Sequence, residues 1–178
     1  MRPVKKDMRW VNVTDDFKNI LSKINDTRAN LFITGKAGTG KSTLLKYFYN
    51  QTDKSCVLLA PTGRAAINIG GQTLHSFFDL GWGVLDPNDY LDKICKASKK
   101  VDLIIIDEIS MVRADILDCI DKILKCTMNN NEPFGDKQVV FFGDPYQLPP
   151  IVGNDPNIIE YFSNFYESPY FFHSNSYM

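Results

Sequence analysis

Gly35, Lys36, Ala37, Gly38, Thr39, Gly40, Lys41, Ser42 and Thr43 are the residues of this chain whose types and spacing most directly imply chemistry. Positions 35–42 fit G-x-x-x-x-G-K-[ST], a loop whose backbone N–H groups wrap the phosphates of a nucleotide. The glycines let the backbone turn and approach closely, and the helix that follows aims its positive end at the same point. Lys41 is placed to reach the outer phosphates, and the Ser42 hydroxyl is of the kind that ligates Mg²⁺. A second chemical point is Asp107-Glu108, directly behind the apolar run Leu103-Ile104-Ile105-Ile106. There Asp107 would hold Mg²⁺, and Glu108 would polarise a water for attack on a γ-phosphate. Without the loop upstream, the two acids would read as a solvated turn. A third is Gln147 within Gly143–Pro150, whose amide can sense a γ-phosphate or orient water, although that segment taken alone is a turn.

These residues need elements to position them, and hydrophobic patterning supplies the elements. Leu31–Thr34 reads as a short buried strand before the glycine loop, and Leu44, Leu45, Phe48 and Tyr49 as the apolar side of the helix after it. Upstream, Phe17, Ile20, Leu21 and Ile24 recur at helical spacing behind Thr14, an N-cap residue. Cys56–Ala60 predicts a second buried strand stopped by Pro61, then a short helix over Arg64–Ile69 ended by Gly70-Gly71. Residues Gly81–Lys100 predict an irregular stretch followed by a polar helix with a Lys-rich end. Leu103–Ile106 is a third strand, and Val112, Ile116, Leu117, Ile120, Ile123 and Leu124 mark the helix behind it. Val139–Phe142 is a fourth strand. Continuous apolar strands alternating with helices predict an α/β fold with a parallel sheet covered on both faces, that is, a P-loop NTPase. Ligands of such sheets sit at the carboxyl ends of the strands, where all three chemical points fall.

Composition bounds the setting. At 178 residues the chain makes one ordinary domain, read as an N-terminal helix over 1–30 leading into a motor core over 31–178. A formal charge of −1 and a pI near 6.1 exclude a broadly basic coat, so any nucleic-acid contact is local. No apolar run approaches the roughly 20 residues needed to span a bilayer, and Met1–Lys6 lacks the apolar stretch of a secretory signal. Cys56, Cys95, Cys119 and Cys126 lack metal-ligand spacing and read as free thiols in a reducing compartment. A cytoplasmic location is expected, nucleoid-associated if the source is bacterial.

Five ordered stretches carry a family resemblance: Gly35–Ser42, Ala60–Ala66, Thr73–Phe77, Asp107–Val112 and Gly143–Pro150. Together they resemble the Pif-type (petite integration frequency) DNA helicases, relatives of the RecD subunit that move 5′ to 3′ on single strands. The resemblance covers about Leu31 to Pro150 and includes Pro133-Phe134-Gly135, which looks like an insert of that family. It implies a RecA-like first motor domain that uses ATP and Mg²⁺ and acts on single-stranded DNA. The roles it implies are in repair, recombination or telomere-type maintenance. It also implies that Thr62, Gly63 and His75 line the DNA path, with Arg64 either touching backbone phosphate or simply solvated. Read from the residues alone, His75 is a satisfied core histidine or a ligand for phosphate or base. Two positions depart from the family pattern. Lys18 stands where a glutamine reads adenine, and Asp136 stands where a second glycine would follow Gly135. No second RecA-like domain with its arginine finger follows in these residues, so weak turnover is expected of the chain alone.

Two other functions fit a phosphate loop. A small nucleotide kinase would need an arginine-rich lid, and Gly81–Lys100 has no arginine. A nucleotide-dependent switch without unwinding needs nothing more than the loop. The C-terminal aromatics, Tyr161, Phe162, Phe165, Tyr166, Tyr170, Phe171, Phe172 and Tyr177, are expected to pack on the sheet rather than stack on bases.

Overall fold

The computed structural model describes residues 13–35, 38–153 and 156–177. Expectations that fall on Lys36 and Ala37 lie outside the described residues. The helices are α1 Asp15–Asp26, α2 Lys41–Gln51, α3 Gly63–Ile69, α4 Leu74–Phe78, α5 Ala114–Met128 and α6 Pro156–Phe165. The strands are β1 Leu31–Thr34, β2 Cys56–Ala60, β3 Gln72–Thr73, β4 Leu103–Ile106 and β5 Gln138–Gly143. All pair in parallel in the order β1-β5-β4-β2-β3. Three helices start on a threonine cap whose Oγ1 accepts a backbone N–H: Thr14 from Phe17, Thr62 from Ala65 and Thr73 from Ser76.

The alternation of side chains along the strands divides the core into two apolar layers. Leu103, Ile105, Val140 and Phe142 face α1, α2 and α3, packing with Ile24, Leu45 and Phe48. Ile104, Ile106, Val139 and Phe141 face α4 and α5, packing with Phe78, Leu117 and Ile120. Covered on both faces, β4 is buried at every position, which is why it reads as an unbroken apolar run. Gly71 is required where the chain passes β2, because a Cβ there would lie 2.2 Å from the Leu58 carbonyl oxygen.

Several sequence expectations need correction. The polar helix within Gly81–Lys100 does not form, and short 3₁₀ turns at Pro87–Tyr90 and Ser98–Lys100 stand in its place. That stretch has no apolar stripe to hold a helix on the core, and tertiary hydrogen bonds shape it instead. Gly81 N–H donates to the Tyr90 hydroxyl at 3.0 Å, and Cys95 N–H to Thr127 Oγ1 at 2.9 Å. β3, α4 and α6 were not anticipated; two residues are too short for β3 to show a period. Val112 is buried but precedes α5 rather than lying on it. Asp136 adopts φ +62°, the left-handed conformation a glycine would take, and its carboxylate pairs with Arg28 at 2.8 Å.

Of the C-terminal aromatics, Phe171, Phe172 and Tyr177 pack on the sheet layer, whereas Tyr161, Phe162 and Tyr166 gather in a separate cluster with Ala114. Phe171 is buried with its ring 5.6 Å from Phe32, and Tyr177 lies 6.0 Å from Phe141. Phe165 remains exposed. All four cysteines are free thiols, Cys95 and Cys119 buried. Among the described residues no helix is long and apolar enough to cross a membrane.

Three buried carboxylates on α5, Asp115, Asp118 and Asp121, tie outlying segments to the core. Asp118 accepts from Tyr166 Oη, both nitrogens of Asn175, and the N–H and hydroxyl of Ser176 at 2.6–3.2 Å. Truncating it removes five hydrogen bonds to a buried carboxylate, the one from the buried Tyr166 hydroxyl included, so Asp118→Ala is expected to lose about 3 kcal/mol of stability. Urea denaturation measures the loss, and hydrogen exchange should show the Asn175 and Ser176 amides released.

Candidate functional site

The strand order makes β1, β5 and β4 neighbours, so the segments leaving their carboxyl ends are neighbours too. These segments carry the glycine loop, Asp144–Gln147 and Asp107-Glu108. In the loop Gly38 and Gly40 have φ of +79° and +87°, a conformation that β-carbons resist. Gly40 is the N-cap of α2, and unlike α1, α3 and α4 this helix has no side-chain cap among the described residues; its first turn also holds no acidic residue. Its leading N–H groups and positive end are therefore presented without a resident anion. Lys41, the first residue of α2, folds its ammonium back to donate to the Gly35 carbonyl, keeping the cation at the mouth of the loop. Ser42 is exposed one residue on.

Behind β4, Asp107 is buried, and burial is the main cause that raises its carboxyl from the ordinary 3.8 to about 6. The neighbouring Glu108 charge adds to the rise. A hydrogen bond from the Glu108 backbone and the Lys41 charge oppose it. Glu108 itself sits at φ +52°, a strained conformation for a side-chain-bearing residue, costing on the order of 1–3 kcal/mol. Two residues on, Ser110 Oγ is the buried side-chain polar atom without a hydrogen-bond partner among the described residues. Strain and an unsatisfied hydroxyl at one strand end mark a segment built for something other than stability.

Gly143 ends β5 against this segment. A Cβ on it would meet Ile109 Cγ2 at 2.8 Å and Ile109 N at 3.1 Å, so the glycine lets the β4 and β5 exits touch. Asp144, which sequence reasoning did not single out, then organises the turn. Its carboxylate accepts from Tyr146 N–H and from the Gln147 side-chain amide, both at 3.1 Å. The structure thus ties the Gln147 amide to Asp144. An acid three residues before the glutamine was the available signal.

The remaining candidate residues lie farther along the same edge. Thr62 and Gly63 follow β2, and His75 lies in α4, directly after β3. With about 4.8 Å between strands, β1 and β3 stand four spacings, roughly 19 Å, apart. The glycine loop and this edge are therefore adjoining regions of one surface rather than one pocket. Gly63 and Arg64 are exposed. Among the described residues nothing lies within 4 Å of a Cβ built on Gly63. Burial, with the Arg113 charge second, holds the His75 imidazole below its ordinary 6.5, and its ring stacks on Trp82 at 5.1 Å. Lys18 is exposed and pairs with Asp15 at 3.0 Å.

Glycine loop, strand-end acids and a five-stranded parallel sheet define a P-loop NTPase core of RecA type. Residues 12–170 match the PIF1-like helicase model, and the chain belongs to that family. It is 40% identical over 148 residues to the ATP-dependent DNA helicase PIF1 of Saccharomyces cerevisiae, covering 76% of this chain and 17% of that protein. It is 35% identical over 167 residues to the ATP-dependent DNA helicase RRM3 of the same yeast, covering 85% of this chain and 22% of the relative. Among solved structures it is similar to a Bacteroides Pif1 helicase in complex with ADP-AlF3 and single-stranded DNA. There the TM-score is 0.84 and the identity 45%, covering 93% of this chain and 39% of that one. The chain therefore spans about a fifth of these curated relatives and two-fifths of that solved chain.

The Asp107 carboxyl gives a pH test. The folded chain holds this proton more tightly than the unfolded one, so its contribution to stability falls as pH rises from about 4 through about 6. In metal-free buffer the stability of the wild type relative to Asp107→Asn is expected to fall by about 2–3 kcal/mol between pH 4 and pH 7. Paired denaturation curves measure the difference.

Proposed function

We propose that this chain is the first, ATP-binding motor domain of a DNA helicase, residues 31–178 forming the RecA-like core behind the helix within 1–30. The observation that carries the reading is the meeting of the glycine loop, Asp107-Glu108 and Asp144–Gln147 at adjacent strand ends. Gly35 through Thr43 cradle the nucleotide phosphates, and Lys41 neutralises their outer charge. Ser42 and Asp107 are hard oxygen donors of the class Mg²⁺ takes, and a buried carboxyl that is costly to ionise suits a cation beside it. Mg²⁺ so held would spread charge away from the transferring phosphoryl group. Glu108 orients and deprotonates the attacking water. Gln147 passes the state of the γ-phosphate on through the Asp144 turn.

Single-stranded DNA is the second ligand of this reading. Thr62, Gly63, Arg64 and His75 occupy the neighbouring strand ends, where a change at the nucleotide is felt through the same sheet. Gly63 is exposed, and among the described residues nothing lies within 4 Å of a Cβ built on it, so its backbone is open to a passing strand. A second RecA-like domain would close over the nucleotide, consistent with the larger size of the relatives. In this reading the direction of travel is 5′ to 3′ and the setting genome maintenance, as the sequence resemblance implies.

Two substitutions test the phosphate site by separate readouts. Lys41→Ala is expected to weaken binding of a fluorescent ATP analogue at least tenfold; unchanged affinity removes Lys41 from the cradle. Glu108→Gln is expected to keep that affinity and lower single-turnover hydrolysis by about 10²-fold or more in the parent protein. Retained hydrolysis removes Glu108 as the base.

A further inference from the structure

Trp82 is 87% exposed. An indole carries an apolar surface that chains usually bury, so its presentation to water calls for a reason. The loop that holds it is not loose. Leu80 and Leu85 anchor it in the core on either side. Within it, Gly81 N–H donates to the Tyr90 hydroxyl at 3.0 Å, Arg113 donates to the Gly83 carbonyl, and Leu85 N–H donates to Asp115 Oδ2 at 2.9 Å. Arg113 and Asp115 form an ion pair at 2.7 Å whose carboxylate is fully buried, so the fastening reaches into the start of α5. Gly83 turns the chain at φ +84°.

Among the described residues the indole has one ring neighbour. It stacks on His75 with ring centroids 5.1 Å apart and planes 15° apart. His75 is half-buried, and burial, with the Arg113 charge second, favours its neutral ring, which stacks without the cost of desolvating a charge. The result is a two-ring pile fixed at its base and open at its top, beside the strand ends that carry Thr62 and Gly63.

We infer that Trp82 is a nucleobase-stacking residue of the single-strand path, with a base completing the pile that His75 begins. The inference rests on the nucleic-acid reading above and changes the part His75 plays: it supports the stacking ring as well as facing the strand. Stacking on an aromatic ring tolerates any base, so Trp82 grips the strand without reading its sequence. It contributes through ring overlap rather than charge, and so leaves counterion release to residues such as Arg64.

The test uses the intrinsic fluorescence of the chain, which has two tryptophans, Trp10 and Trp82. In a Trp10→Phe background, titration with oligothymidine at low salt is expected to quench Trp82 emission as binding saturates. Trp82→Ala is expected to weaken oligothymidine binding, read by anisotropy, about tenfold, and Trp82→Phe to restore most of it. The slope of affinity against salt should stay the same in Trp82→Ala and become shallower in Arg64→Ala. Because the side chain is exposed, the Trp82→Ala chain should unfold at the wild-type temperature, which separates lost stacking from lost structure. Oligothymidine binding that neither quenches Trp82 nor changes on its replacement overturns this inference alone and leaves the indole to a protein contact. A wild-type chain that binds no oligothymidine overturns both this inference and the nucleic-acid reading.

Discussion

Asp115, Asp118 and Asp121 lie on successive turns of α5, each almost wholly out of water, and each holds a separate segment of chain. Asp115 takes the Leu85 N–H and the Arg113 guanidinium. Asp118 takes the Asn175–Ser176 turn near the C-terminal end. Asp121 takes the Phe134 N–H and the Lys125 ammonium. A carboxylate removed from water costs several kcal/mol unless its oxygens are met by donors, so each segment is held by the penalty for leaving. Asp121 thereby fixes the turn in which Phe134, Gly135 and Asp136 all take positive φ. A Cβ on Gly135 would lie 2.5 Å from the Leu124 carbonyl oxygen, so this turn sits directly on the helix.

The candidate site rests on a different kind of constraint. Its three parts come from distant parts of the chain and meet only because β5 inserts between β1 and β4. Once there, they are coupled by contact. Gly143 permits the β5 exit to touch the segment after Glu108, and Asp144 holds Gln147 from the other side. The strained φ of Glu108 and the unpartnered Ser110 hydroxyl lie within this contact. A segment that gives up local stability can be repositioned by a ligand at little further cost.

Much of this was legible in the sequence. The strands carrying the site are continuous apolar runs because both their faces are covered, and the glycine loop and the acids sit at their ends. What did not show were features whose cause is non-local. Gln72–Thr73 becomes a strand only because β2 is there to pair with it. Gly81–Lys100 has helix-compatible residues but no apolar stripe, so hydrogen bonds to Tyr90, Asp115 and Thr127 decided its path. The aspartates at 115, 118 and 121 interrupt an otherwise apolar helix face. That spacing was the available sign that α5 receives loops as well as the sheet.

The sequence by itself determined the phosphate loop, the acidic strand end and a parallel α/β core. Each follows from local chemistry: glycine's freedom at positive φ, the pattern G-x-x-x-x-G-K-S, and apolar runs bounded by turn residues. Only the tertiary structure decided the order of the strands, the donors that satisfy the α5 carboxylates, and the stack of Trp82 on His75. These are contacts between residues far apart in the chain or turned by an irregular loop. Their geometry is set by packing across the sheet, which no periodicity along the chain records.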